Sequence, residues 1–383
     1  MVPRNVYERM HLKLGTRLGD RLLRSMLEEE RLEPRLTPAK FLAGLLAGTV
    51  YMVALVFLVA GIWLMIGGWP NVIYVFIGLC CLGMAFVARP RFSKPPEDIL
   101  PREKFPALHR LVDQVADALG AKRVDGIIID ERFNASFGVI GLRRRHYLWL
   151  GLPLFFIHND AERVALIGHE LGHSVNGDST RGFLVGSAIN TLAEWYMLVV
   201  PESLLSSESG IPGFVMLPVN IVLYGIAGVI WSTLYALVVL LHRDSQRAEY
   251  LADYLSTVAA GGEAGISSMR ALYLWHIFQY TVQKVVNNPK GAGLFDELRH
   301  QMAILPAREL ERVERMTQME ETRVDITHPP TPHRIEFLRA RHTGESRVVM
   351  SPEESAQLNR ELESLYDDIG ERILTDYRNM LYY

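Results

Sequence analysis

Cysteine is nearly absent from this sequence, whose 383 residues contain only Cys80 and Cys81, adjacent in an apolar run. Neighbouring residues of a helix do not reach disulfide geometry, so no disulfide framework holds the fold. Two adjacent cysteines do not form a zinc knuckle either. Any metal site in this chain must therefore be built from histidine and carboxylate side chains.

An excess of basic charge is also missing, because the formal net charge is −3 at pH 7. Nucleic-acid binding needs a broad basic surface, so nucleic acid is excluded as a main partner. The first 40 residues are rich in charge and lack a short apolar core with a cleavage site. No removable signal peptide is therefore expected.

Long apolar runs are the most prominent feature of the sequence. Residues 41–66 and 72–88 carry no charged side chain, and neither does the run 214–241. A fourth apolar run, 183–200, contains Glu194, which either lines a cavity or marks an interior-facing helix. Twenty-six helical residues rise about 39 Å, enough to cross a bilayer. The sequence predicts four transmembrane helices over these runs.

The distribution of lysine and arginine predicts the orientation of these spans. Basic residues flank the runs, whereas the linkers 67–71 and 201–213 contain none. The positive-inside rule then places the N-terminus, residues 89–182 and everything after 242 in the cytoplasm, in a bacterial cytoplasmic membrane. The amphipathic segment before the first span either lies on the membrane surface or packs on the catalytic domain.

The segment between the second and third runs has the pattern of a small α+β domain. Helical periodicity over 105–119 is followed by strand-like segments at 126–130, 134–140 and 146–151, which predict a small antiparallel sheet. Three arginines, 143 to 145, occupy the hairpin turn. A solvated tip is the default interpretation, and a phosphate or lipid site is the alternative.

A histidine pair supplies the strongest chemical signal. Asn159 and Glu162 have the spacing of a capping box, which predicts a helix that contains His169, Glu170 and His173. Histidines four residues apart project from one helix face and can hold a single ion. A carboxylate next to the first ligand is typical of the general base in metalloproteases.

A catalytic zinc also needs a third protein ligand. Glu249 and Asp253 lie one turn apart at what the sequence predicts to be the start of a helix. Glu249 is the expected third ligand, and Asp253 is expected to fix the tautomer of a ligating histidine. Without the histidine pair, solvated charges would be the favoured interpretation of both residues.

Four motifs in this order resemble the HtpX-like and CAAX prenyl endopeptidase group of integral-membrane zinc metalloproteases, over roughly residues 100 to 340. The motifs are Asn134-Ala135-Ser136-Phe137-Gly138, His169-Glu170-Leu171-Gly172-His173, Glu249-Tyr250-Leu251-Ala252-Asp253 and Thr327-His328-Pro329-Pro330-Thr331. Four spans, rather than a larger helical chamber, make the HtpX-like branch the better match.

The resemblance implies one zinc ion per chain on His169, His173 and Glu249, with Glu170 as the general base. It also implies that the strand of Asn134 binds substrate backbone and that His328 lies near the scissile carbonyl. Without the resemblance, a histidine before two prolines is more often a surface residue.

Together these features predict a mainly α, multi-pass membrane protein with a cytoplasmic zincin-like α+β catalytic domain. The expected segments are 1–40 (amphipathic), 41–88 and 183–241 (transmembrane pairs), 89–182 and 242–342 (the two parts of the catalytic domain) and 343–383 (a helical extension). The expected function is zinc-dependent cleavage of membrane or membrane-associated proteins, misfolded ones included. A proteolytically silent scaffold and a CAAX-type processing protease are the alternatives, and a metal transporter is disfavoured.

Overall fold

The computed structural model describes residues 19–29, 37–89, 95–141, 143–175, 178–200, 213–288, 290–306, 308–309, 311–312, 315, 329–341 and 344–382. The chain divides into two compact units. The first unit comprises 1–34, 95–179 and 245–383, and the second comprises 35–94 and 180–244.

The described elements are mainly helical. They are α1 (19–28), α2 (Pro38–Gly67), α3 (Val72–Val87), α4 (Pro106–Leu119), β1 (Gly126–Asp130), β2 (Ala135–Ile140), β3 (Arg145–Gly151), α5 (Leu152–Ile157), α6 (Asp160–Val175), α7 (Asp178–Val199), α8 (Gly213–Ala260), α9 (Gly262–Ala271), a 3₁₀ turn (Leu272–Leu274), α10 (Trp275–Asn287), α11 (Leu294–Ile304), α12 (Thr331–Ala340), α13 (Pro352–Glu363) and α14 (Tyr366–Tyr382).

The sheet of the first unit is mixed, so the prediction of an antiparallel sheet was only partly right. The strand order is β1-β3-β2, with β2 antiparallel and β1 parallel to the central β3. The connection 131–134 carries the chain from one edge past the end of β3 to the other edge. It passes so close to Gly151 that an added Cβ would lie 1.7 Å from the carbonyl oxygen of Arg132. Glycine at the end of β3 permits this crossing.

The predicted C-terminal helix is two helices, α13 and α14, and both pack on the first unit. Ser351 and Glu354 form a capping box at the start of α13. Leu358 and Leu362 of α13 are fully buried in the same core cluster as α4. Glu361 accepts hydrogen bonds from the backbone N–H groups of Ala107 and Leu108, which begin α4. The C-terminal helices therefore cover this unit.

The described part of the N-terminal segment also packs on the first unit. Leu22, Leu23 and Met26 of α1 are buried in a cluster with Tyr250 and with α12. The carboxylate of Glu29, just after α1, accepts hydrogen bonds of 2.6 and 2.7 Å from both terminal nitrogens of Arg247. Of the two alternatives for this segment, packing on the domain holds for residues 19–29, and residues 1–18 lie outside the described residues.

The second unit is built on long apolar helices. Within the described residues, Pro38–Gly67 and Pro218–Ala260 are long and apolar enough to cross a membrane. Val72–Val87 is apolar but has only 16 residues, and α7 contains the predicted third span. The four-span arrangement therefore stays a prediction.

Candidate metal centre

Helix α6 begins as the sequence predicts. Glu162 N–H donates to Asn159 Oδ1 at 3.0 Å, and Asn159 N–H donates to Glu162 Oε2 at 2.8 Å, which completes a capping box. Val164, Ile167 and Leu171 are buried in the main core and fix the rotation of the helix. Its other face presents His169 and His173, whose ring centroids are 5.0 Å apart.

Close packing of two helices brings a carboxylate to the histidines. A Cβ added to Gly172 of α6 would lie 2.9 Å from Ala252 Cα of α8. The glycine lets the two backbones approach within the first unit, and Glu249 lies on α8 one turn before Ala252. The sequence predicted a helix start near 245, but α8 runs through it, because no glycine or proline lies between Gly228 and Gly261.

The three expected ligands converge in the structure. Their ligand atoms all lie within 4.8 Å of one another. His169 Nε2 and His173 Nε2 are each 3.7 Å from an oxygen of Glu249. Tetrahedral zinc with bonds of about 2.0–2.1 Å spaces its ligand atoms about 3.4 Å apart. Two imidazoles and a carboxylate at this spacing fit zinc with small side-chain adjustments.

Asp253 and Arg334 contact two of the three candidate ligands: Asp253 contacts His169, and Arg334 contacts Glu249. Asp253 is fully buried, and its Oδ1 lies 3.0 Å from His169 Nδ1. Arg334 of α12 donates to both carboxylate oxygens of Asp253, at 2.7 Å from Nε and 2.6 Å from Nη2. Arg334 Nη2 is also 3.5 Å from Glu249 Oε2. Because Nδ1 of His169 faces Asp253, its Nε2 is left for the metal.

The two histidines have opposite pKa shifts. Burial lowers the pKa of His173 to about 4, so this imidazole is neutral at pH 7 and able to donate a lone pair. Burial is the largest single influence on His169 and disfavours its charged form, but the hydrogen bond to Asp253 and the negative charges of Asp253 and Glu249 together outweigh it and raise the pKa of His169. A metal at His169 would therefore compete with a proton whose binding Asp253 favours.

A cleft of about 530 Å³ opens over these residues. Its walls include Glu170, which follows the first histidine, Asn134 just before β2, and the first three residues of β2, Ala135 to Phe137. This volume is in the range of ligand-binding pockets. His328 lies outside the described residues, although Pro329 and Pro330 after it line the cleft.

Strand β2 offers an open edge at the cleft. Among the residues that the structure describes, no strand pairs with its outer edge. Gly151 N–H donates to Asn134 O at 2.8 Å, so the backbone carbonyl of Asn134 points towards β3. Along an antiparallel strand, residues whose backbone groups bond to the partner strand alternate with residues whose backbone groups point away from it. Ala135, Phe137 and Val139 therefore direct their N–H and C=O groups to the open edge.

Comparison with known proteins identifies the family. The model of a family described as peptidase family M48 matches residues 102–342, more than half of the chain. The chain belongs to peptidase family M48. It is thus a member of a protease family, and the cleft lies within the region that the M48 model matches.

Two relatives of this chain are named protease HtpX homologs. The homolog of Pyrobaculum aerophilum is 27% identical over 274 residues, which cover 70% of this chain and 73% of the relative. That of Pyrobaculum calidifontis is 27% identical over 239 residues, covering 61% and 67%. These relatives support the HtpX-like branch of M48. No solved structure matches the chain.

No sequence pattern assigned Arg334 a role in this site. The structure buries its guanidinium between Asp253 and Glu249. A signal was available, since a buried aspartate that supports a metal ligand requires a cation or several donors nearby. The sequence alone did not say which of 40 basic residues supplies it.

Proposed function

We propose that this chain is a zinc-dependent endopeptidase of the membrane, with one zinc ion held by His169, His173 and Glu249. The observation that carries the proposal is the convergence of these three side chains at the base of a cleft that also contains Glu170. Two histidines with one glutamate are a standard ligand set of catalytic zinc, which leaves a further position for water.

Each residue of the cleft then has a role in peptide hydrolysis. His169, His173 and Glu249 would hold zinc, which would supply a Lewis acid to polarise the scissile carbonyl and lower the pKa of water. Glu170 takes a proton from the attacking water and passes it to the leaving amine. Asp253 orients the imidazole of His169. The resemblance adds His328 as a donor to the developing oxyanion.

The open edge of β2 is the proposed binding surface for substrate backbone. An extended segment of substrate adds to the strand beside Asn134, through the outward N–H and C=O groups of Ala135 and Phe137. Backbone hydrogen bonds of this kind do not depend on side-chain identity. Such an edge therefore suits a protease that accepts unfolded or misfolded proteins.

We further propose that the protease lies in a membrane and that membrane or membrane-associated proteins are its substrates, which two helices long and apolar enough to cross a bilayer support. Four spans with the site in the cytoplasm agree with the charge of the linkers. A reporter fused after Gly68 should be found outside the cytoplasm. A cytoplasmic reporter at this position would contradict the proposed topology.

The mechanism is tested with detergent-purified wild type and Glu170→Gln, assayed for zinc content and for cleavage of an unfolded protein. Both should contain zinc, and Glu170→Gln should lose at least about 100-fold in rate, because general acid–base catalysis contributes about 10²–10⁴-fold. Glu345→Gln, a change of an exposed loop glutamate, serves as the matched control and should cleave normally. Equal cleavage by Glu170→Gln would contradict the assigned base, and no cleavage by zinc-loaded wild type would favour a silent scaffold.

A further inference from the structure

The tip of the β2–β3 hairpin carries a concentrated positive charge. Arg143, Arg144 and Arg145 are all exposed, and Arg144 has a φ of 52°. In the part of the chain that the structure describes, none of the three forms an ion pair. The other charged groups that act on His146 at this end of the sheet are Lys122 and Asp125. Asp125 already accepts the backbone N–H of His146 at 2.7 Å.

This tip lies at the far end of the strand that borders the cleft. Ala135 lines the cleft, and Ile140 is the residue that pairs with Arg145 in the sheet. The strand rises about 17 Å over the five steps from Ala135 to Ile140. A peptide that lies along the open edge of β2 from the cleft therefore reaches the arginines after about five residues.

The direction of such a peptide follows from strand pairing. Antiparallel pairing is slightly more stable per residue than parallel pairing. Because β2 runs away from the cleft, an antiparallel peptide runs towards it. The part of the substrate at the arginines is then N-terminal to the part in the cleft.

We infer that the Arg143–Arg144–Arg145 tip binds acidic side chains of the substrate, about five to eight residues N-terminal to the scissile bond. The inference rests on the proposed function, and it names a substrate class: extended segments with an acidic stretch before the cleavage site. An anionic lipid headgroup shares the carboxylate's charge, but β2 connects the tip directly to the cleft, so a peptide substrate is the occupant that the structure favours. Lipid binding is accordingly an outcome of the test.

The test uses the full chain in detergent, loaded with zinc, and three peptides that share one cleavage site. The first has three acidic residues at five to seven positions before the site, the second has them after the site, and the third has serines in both places. The first should be cleaved with a kcat/KM about 3- to 10-fold above the others, mainly through a lower KM, since exposed ion pairs are individually weak. The preference should disappear at about 1 M salt, where the Debye length is about 3 Å.

The variant Arg143→Gln/Arg144→Asn/Arg145→Gln should lose this preference and still cleave the serine peptide at the wild-type rate. Its control, Arg110→Gln/Arg339→Gln/Arg360→Gln, removes the same charge from exposed positions elsewhere and should keep the preference. An unchanged preference in the first variant, or none in the wild type, would overturn the inference. A variant that keeps the preference but loses binding to phosphatidylglycerol vesicles would overturn it too, in favour of lipid. Failure of wild type to cleave any peptide would instead count against the proposed function.

Discussion

At the scale of single residues, the site depends on a buried ion pair as much as on the ligands. Arg334 and Asp253 are both almost fully buried, and together they orient His169. Removing one member of a buried ion pair leaves the other charge buried without a partner. This loss destabilises the fold by more than the intact pair stabilises it. Under the proposed function, Arg334 is therefore a positioning residue for the zinc ligands.

Arg334→Gln should weaken zinc binding about 10- to 100-fold, the usual effect of losing a group that supports a metal ligand. The apparent Kd is measured by competition with a chromophoric chelator. Arg339→Gln, an exposed position on the same helix, should bind zinc as the wild type does. Equal affinities for all three proteins would mean that Asp253 orients His169 without the arginine.

His158 gives the fold a dependence on pH. Its Nδ1 lies 2.6 Å from Leu154 O and its Nε2 lies 2.9 Å from Ser268 Oγ, which fits a neutral ring that donates to the carbonyl and accepts from the hydroxyl. Burial lowers the pKa of His158. A lowered pKa in the folded state means that the unfolded chain binds the proton more readily, so the stability from this residue is lost as pH falls below about 6.5.

The thermal midpoint of the wild type should accordingly fall as pH decreases from 7 towards 5. His158→Gln should show a shallower fall over the same range, whereas His300→Gln, at an exposed position, should follow the wild type. Parallel curves for wild type and His158→Gln would show that His158 does not contribute to the acid sensitivity.

At the scale of elements, the contact of α6 with α8 decides whether the ligands meet. The Gly172→Ala substitution places a methyl group 2.9 Å from the backbone of Ala252, so one helix must shift. Overpacking of this kind costs about 1–3 kcal/mol. We expect a lower thermal midpoint together with weaker zinc binding. Gly344→Ala, where nothing lies within 4 Å of the added carbon, is the control. Normal zinc affinity in Gly172→Ala would show that the site tolerates the shift.

Sequence patterns predicted the elements whose signals are local. The capping box at Asn159 and the helix with His169 and His173 are examples, because side-chain spacing within one turn determines them. The parallel pairing of β1 with β3 was missed, since it depends on a chain crossing that only Gly151 marks. Long-range contacts of this kind leave little trace in a single sequence.

The candidate site likewise combines residues that short motifs indicated with a residue that no motif indicated. Motif order pointed to Glu249 and Asp253, and the structure brings them to the histidines. The partner of Asp253, Arg334, is 81 residues further along the chain and was not assigned. Nor did periodicity reveal that residues 19–29 pack against Tyr250, because an amphipathic helix suits a membrane surface equally well.

At the scale of the whole molecule, the proposed metal joins parts of the first unit that are distant in sequence. His169 and His173 lie in the stretch 95–179, and Glu249 lies in the stretch after 245. The residues between them belong to the second unit, with its apolar helices. Metal binding then adds to the stability of the fold, because an ion that binds only the folded state stabilises it by mass action.

The central claim is that a single zinc ion is held by residues of both stretches. The most direct measurement is the zinc content per chain of purified wild type, Glu249→Gln and the control Glu345→Gln, after equilibration with zinc-buffered solution. The account predicts one zinc in wild type and control and a large loss in Glu249→Gln, with cleavage lost in parallel. Full zinc content in Glu249→Gln, or a wild type that cleaves without zinc, would contradict it.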